Sequence, residues 1–331
     1  MNFRSIFASR PMRWIGAACA ALALVAPASA QSSGSDRPIT IVVGFAPGAG
    51  TDTLARALAE QLQRRLKQPV IVENKPGAGG TMAVNLVAKS PADGHTLLFA
   101  PNTLVIAPHV QPGAASDVNV LNDLVPVVQV TRSTLIIVTT PSQGVKDAQE
   151  LTKLARSKPG LPFGSAGNGS PQHIVGMLYA RAAGVDLIHV PYRGTSPALV
   201  DLMGGQLPLA ISSLGAALPH IQSGRLVPVA VPEPNRTPLL PDVPTLTEQG
   251  IKGVEVTGWF GLFAPRGTPA AQVERINKEI NAILEMPDIQ EKFKAQGEVP
   301  VGGSTQTFAQ LMRDEYTRFG RIVKEFGITA E

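Results

Sequence analysis

Cysteine is almost absent from this chain: the single one, Cys19, lies in the leading apolar segment. Downstream of it there is no disulfide framework and no thiol chemistry. Histidine is nearly as scarce, and the five, at positions 95, 109, 173, 189 and 220, show no pair at metal-ligand spacing. With no cysteine to join them, a zinc site is excluded and no metal or other cofactor is expected. Aromatic residues make up 5% of the chain, and no stripe of lysine or arginine interleaves with them, so a nucleic-acid surface has no support. No stretch after residue 30 reaches the roughly eighteen consecutive apolar residues of a membrane span. No short-period repeat points to a solenoid.

What is present begins with a targeting segment. Arg4, Arg10 and Arg13 precede an apolar stretch from Trp14 to Val25, and Ala28-Ser29-Ala30 has the small-x-small pattern of a signal peptidase site. Residues 1–30 are therefore expected to be an export signal cleaved after Ala30, leaving a periplasmic chain that starts at Gln31. Cys19 lacks a leucine at the lipobox position, so cleavage is favoured over a lipid anchor. Loss of the segment removes three arginines and no acids, lowering the formal charge from +4 to +1. The remaining length suffices for one large domain or two ordinary ones.

The most informative stretch follows the β-branched run Ile39-Thr40-Ile41-Val42-Val43. Phe45-Ala46-Pro47-Gly48-Ala49-Gly50-Thr51-Asp52 turns tightly and opens onto a helical pattern of Leu54, Ala55, Leu58, Ala59 and Leu62. A strand, a glycine turn and a helix N-terminus present unpaired N–H groups to an anion such as a carboxylate or phosphate. Asp52 also suits the first helical turn as a cap. The phosphate-binding P-loop is excluded because no lysine follows Gly50, and the dinucleotide fingerprint because Thr53 stands where its third glycine belongs. Further turns of the same kind follow apolar strands: 74–80, Pro101-Asn102-Thr103, and Gly164-Ser165-Ala166-Gly167-Asn168-Gly169-Ser170. In open α/β sheets ligands collect at the strand ends where such turns converge.

Strand and helix signals alternate from Ile39 to about Val130, as in parallel βαβ units, and a second set starts at Thr134. Residues 254–263 read as one long strand, and the last seventy residues as helices, the first of them capped by Thr268 with Pro269 at its first position. Ser170 with Pro171 reads as another cap, with His173 packing or capping in the same turn. Tyr192 next to Arg193 could close a carboxylate pocket, and Ser212-Ser213 puts small hydroxyls at a strand end. The hydrolase elbow Gly-x-Ser-x-Gly fails at Phe163, yet a serine nucleophile at Ser165 or Ser170 activated by His173 stays open as an alternative.

In this order and spacing, residues 45–52, 74–80, 93–98, 164–173, Tyr192-Arg193-Gly194, 240–245 and Trp259-Phe260-Gly261-Leu262 resemble the substrate-binding receptors of tripartite tricarboxylate transporters, also called Bug-type solute receptors. The resemblance covers essentially the whole chain beyond residue 30. It implies an α/β, two-lobed periplasmic binding protein of type II-like topology, with two doubly wound α/β domains joined by two hinge crossovers. Lobe one would be 31–133 plus 256–331 and lobe two 134–255, with crossovers near Val127–Thr131 and Val254–Thr257. It further implies a receptor, not an enzyme, that holds a ligand carboxylate through backbone amides, hydroxyls and water. The residues it assigns are Phe45, Ala46, Pro47, Gly48, Ala49, Gly50, Thr51, Asp52, Asn102, Thr103, Ser165, Ala166, Gly167, Asn168, Gly169, Ser170, His173, Tyr192 and Ser212. The implied partners are a small organic carboxylate (dicarboxylate, tricarboxylate, acidic amino acid or aromatic acid) and membrane permease subunits, with the receptor a monomer. Two departures stand out: Ala49 where many relatives have a second glycine, and His95, expected outside the cleft, where they have tyrosine. Besides the exported serine hydrolase, a ligand sensor signalling to a membrane kinase is the other alternative.

Overall fold

The computed structural model describes residues 37–110 and 118–329. The expected export signal, Cys19 and Gln31 lie outside the described residues. The chain runs β1 (Ile39–Val43), α1 (Gly50–Leu66), β2 (Val70–Asn74), α2 (Thr81–Ala88), β3 (Thr96–Pro101), α3 (Thr103–Val110) and β4 (Leu124–Ser133). It continues through β5 (Leu135–Thr139), α4 (Ala148–Ser157), β6 (Leu161–Ser165), α5 (Pro171–Ala183), β7 (Leu187–Pro191), α6 (Thr195–Met203), β8 (Leu209–Ser213), α7 (Leu214–Gln222) and β9 (Val227–Ala230). The last elements are β10 (Gly258–Pro265), α8 (Ala270–Leu284), α9 (Pro287–Ala295), β11 (Glu298–Pro300) and α10 (Thr305–Phe326).

These strands form two sheets, ordered β11-β4-β10-β3-β1-β2 and β7-β6-β8-β5-β9. The parallel rhythm expected at the start holds for β1, which pairs in parallel with β2 and β3. Both sheets are nonetheless mixed. In the first, β10 enters antiparallel between β3 and β4; in the second, β5 runs antiparallel to β8 and β9. The chain leaves the first sheet after Ser133, crosses at the buried Thr134 and enters β5. It returns between β9 and β10. The strand expected from 254 begins only at Gly258, because the preceding residues are extended chain whose Val256 N–H bonds the Pro232 carbonyl at 2.8 Å instead of a sheet neighbour.

Periodicity explains the packing. In α1 the residues Leu54, Ala55, Leu58, Ala59 and Leu62 are buried, and this face joins α8 and α9 over β1, β3, β4 and β10 in one apolar cluster. On α10, Phe308, Met312, Phe319, Ile322 and Val323 are buried in a second cluster that continues without a break into Ile137 and Phe163 of the second sheet and Tyr179 of α5. Trp259 on β10 stands edge-on to Phe308 at 5.2 Å and donates its indole N–H to Glu315 at 2.6 Å. Two C-terminal expectations are corrected. A short strand, β11, interrupts the helices. Thr268 does not cap α8, because its hydroxyl donates back to the Pro265 carbonyl at 2.8 Å and the helix opens after Pro269.

Candidate functional site

The first glycine turn is held by a carboxylate. Asp52, buried in the first turn of α1, accepts the Gly48 N–H at 2.9 Å, the Arg56 Nε–H at 2.9 Å and the Asn74 amide at 2.8 Å. Asn74 also donates to the Phe45 carbonyl at 3.0 Å, which ties the second turn to the first. Burial alone would raise the Asp52 pKa; the donors from Arg56, Gly48 and Asn74 overcome it and hold the carboxyl at about 2. Gly48 takes φ +81, a conformation glycine adopts without strain. Where the two turns meet, a Cβ on Gly44 would stand 2.6 Å from the Gly80 Cα. Only glycine allows that backbone contact.

The turn at 165–170 is built on two histidines, the buried His173 and the half-buried His189. Ser165, fully buried, shares a 2.6 Å hydrogen bond with His189 Nε2, and its oxygen accepts the Gly167 N–H at 3.0 Å. His189 stacks on His173 with ring centroids 3.6 Å apart and planes 9° from parallel. His173 Nδ1 accepts the Gly169 N–H at 3.2 Å, so that nitrogen carries no proton. Burial pulls His173 down to about 3, helped by His189, and pulls His189 down to about 4. Both rings are neutral over the physiological range. Ser170 caps α5, accepting the His173 N–H at 3.2 Å and donating to the Gly167 carbonyl at 2.7 Å.

Between the sheets lies a cavity of about 830 Å³. From the list read in the sequence it brings together Phe45, Ala49, Gly50, Thr51, Asn102, Thr103, Ala166, Asn168, Gly169 and Ser170. Their arrangement has one recurring element. The N-terminal turns of α1, α3, α5, α6 and α7 all border the cavity, through residues such as Gly50, Thr103, Pro171, Thr195 and Gly215. Helix N-termini carry N–H groups without intrahelical acceptors and the positive end of the dipole. Arg193 is the one basic side chain lining the cavity among the described residues. The acidic counterpart is Glu298 of β11, which accepts hydroxyl bonds from Thr131 at 2.7 Å and Ser133 at 2.6 Å. Its burial, reinforced by neighbouring Glu233, outweighs those donors and raises it to about 7. The cavity therefore favours an anion.

Other members of the list stand outside the cavity lining. Ala46, Pro47, Gly48 and Asp52 form the outer part and brace of the first turn. Ser165, Gly167 and His173 form the scaffold under the 165–170 turn. The Tyr192 hydroxyl donates to Asp201 at 2.6 Å, and the buried Ser212 hydroxyl donates to the Ser213 carbonyl at 2.8 Å. His95 is remote, near the Pro38 carbonyl. Sequence reasoning passed over Gln172, Thr195, Ser196, Trp259 and Glu298, all of which line the cavity. Strand alternation sends Ser213, not Ser212, to the cavity side. Thr195-Ser196-Pro197 after Gly194 repeats the small-residue helix opening already noted at Ser170-Pro171. Glu298 had no local signal, since its place depends on β11 pairing with β4.

The serine alternative meets this geometry directly. Ser165 is sealed from the cavity, and Ser170 meets the backbone N–H of His173, not its ring.

Residues 54–328 match the family model described as the tripartite tricarboxylate transporter family receptor. Over 320 residues the chain is 35% identical to the protein BugT of Bordetella pertussis (strain Tohama I), covering 96% of this chain and 98% of that one. The fold is similar to the periplasmic binding protein BugD (TM-score 0.76, 31% identity, 90% of this chain and 100% of that one). It is similar also to Rpa4515 of R. palustris, solved with adipate (TM-score 0.79, 32% identity, 89% and 99%). MatC (Rpa3494) from Rhodopseudomonas palustris, with bound malate, gives a TM-score of 0.75 at 32% identity over 87% and 99% of the two chains.

Proposed function

The chain belongs to the receptor family of the tripartite tricarboxylate transporters and has a periplasmic binding protein fold, and from that premise we propose that it captures a small organic carboxylate between its sheets. Capture proceeds by closure of two lobes, 31–133 plus 256–331 against 134–255, about the two chain crossings. The monomeric receptor then delivers its cargo to a tripartite tricarboxylate-type membrane permease, after export by a signal cleaved at Ala30. The observation that carries this reading is the convergence of the α1, α3, α5, α6 and α7 N-termini, with Arg193, on one cavity. The carboxylates in the structures of Rpa4515 and MatC support the same class.

Ala49, Gly50 and Thr51 on one side and Ala166, Asn168, Gly169 and Ser170 on the other would meet the carboxylate, with Asn102 and Thr103 beside it. Phe45 would lie along the ligand's body. Ala46, Pro47, Gly48 and Asp52 would hold the first turn, and Ser165, Gly167, His173, Tyr192 and Ser212 the facing one. The test is thermal unfolding of the purified protein with malate, adipate and benzoate, each beside its amide. A carboxylate at a hundred times its dissociation constant adds about 2.7 kcal/mol, and its neutral amide adds far less. Equal responses to acid and amide, or none to either, would overturn the proposal.

A further inference from the structure

A second, smaller cavity opens beside the first. It occupies about 100 Å³ between β3, α2 and α3, and it shares Phe45, Gly79, Pro101, Thr103 and Ala107 with the main cavity. The Phe45 ring thus borders both spaces. It lies 3.5 Å from where a Cβ on Gly80 would stand.

The walls of this pocket differ from those of the main cavity. Behind the shared rim stand Val84, Leu98, Leu104, Pro108, Val118 and Val120. No charged or amide side chain lines it; its polar side chains are Thr81 and Thr103. At the rim the Gly80 N–H is already bonded to the Gly77 carbonyl at 2.9 Å. The N-terminal turns of α2 and α3 reach this space through Thr81 and Thr103, but a carboxylate carried past them to the apolar wall would lose its hydration with no cation in return. An apolar group would replace a space that water fills poorly, since apolar cavities of roughly 150 Å³ stay dry and take up benzene.

We propose that the ligand is a monocarboxylate whose far end is a compact apolar group, a branched alkyl chain or a single ring, seated in this pocket behind Phe45. The inference rests on the carboxylate-receptor reading above and narrows it: the α1 and α5 to α7 side of the cleft holds the charge, and the pocket selects the body. A dicarboxylate of similar length leaves the pocket unfilled or brings a second charge to it.

The test is calorimetric titration of the purified protein with propionate, isovalerate, benzoate and phenylacetate against succinate and adipate. Each methylene buried in the pocket should tighten binding about fourfold, from roughly 0.8 kcal/mol per group, and phenylacetate should bind at least tenfold more tightly than adipate. Val84→Phe, which fills the pocket without lining the main cavity, should narrow the phenylacetate-to-propionate ratio at least tenfold. Should that variant fail to fold, Val84→Leu and the ligand series on the unaltered protein still decide. Tighter binding of adipate or succinate than of every monocarboxylate would overturn the inference while leaving the carboxylate reading intact, as would a ratio unmoved by the Val84 substitutions. Binding of no carboxylate at all would overturn both.

Discussion

Replacing Asp52 by asparagine should unfasten the first turn of the cleft, and the cost can be worked from its partners. Gly48 N–H and Arg56 Nε–H both point at one carboxylate oxygen and the Asn74 amide N–H at the other. An asparagine amide in either orientation puts an N–H against one of these donors. Asn74 cannot turn over in reply without losing its bonds to the Phe45 carbonyl and Arg56. A carboxyl held at about 2 where its ordinary value is 3.8 contributes roughly 2.4 kcal/mol of stability at neutral pH. Because the folded pKa is depressed, that contribution is complete above 3.8 and is lost as the pH falls through about 2. Asp52→Asn is therefore expected to cost about 2–3 kcal/mol at pH 7, a drop of about 5 °C in melting temperature. Near pH 3 the gap should shrink to about half. Urea unfolding of both proteins at the two pH values measures it. A variant within about 0.5 kcal/mol of the parent at pH 7, or a gap that widens on acidification, would refute the reasoning.

Three further outcomes are expected. Glu315 is pushed up to about 7 by burial, against the Trp259 N–H and Arg318, so the folded state prefers its neutral form and loses stability as the pH rises from 4.5 to 7. Glu315→Gln should match the parent near pH 4.5 and exceed it by roughly 3 kcal/mol at pH 8, as read by denaturant midpoints at both values. For His173 and His189, held down to about 3 and 4, the sign is opposite: their contribution is complete above 6.5 and is lost as the pH falls toward 4. His189→Gln should flatten the unfolding midpoint between those limits, and an unchanged slope would remove the histidine stack as its cause. Gly44→Ala forces a Cβ to 2.6 Å from the Gly80 Cα and should cost about 1–3 kcal/mol; a neutral effect on thermal unfolding would show that the two turns can part freely.

The elements were legible wherever a local period or a glycine turn carried them. The buried run 39–43 and the α1 face appear as written in the sequence, and Ser170-Pro171 caps a helix as its residue types require. What local reasoning could not supply were facts of long-range pairing. The antiparallel entry of β10 between β3 and β4 sets Trp259 against the cavity, and β11 places Glu298 there from more than a hundred residues away. The extended residues before Gly258 have strand composition but bond Pro232 instead of a sheet, a distinction no propensity contains. The histidine stack was invisible for the same reason: His173 and His189 sit on different elements and meet only through the pairing of β6 with β7.

The most direct measurement is a titration of the isotope-labelled protein with phenylacetate, following backbone amide resonances from both sides of the cleft. Capture of a carboxylate between facing helix N-termini requires the amides of Gly50 and Thr51 and those of Asn168 and Gln172, all lining the cavity, to shift together at one dissociation constant, moving downfield as they take up a charged acceptor. Shifts confined to one sheet, or lying outside the residues that line the cavity, would contradict it.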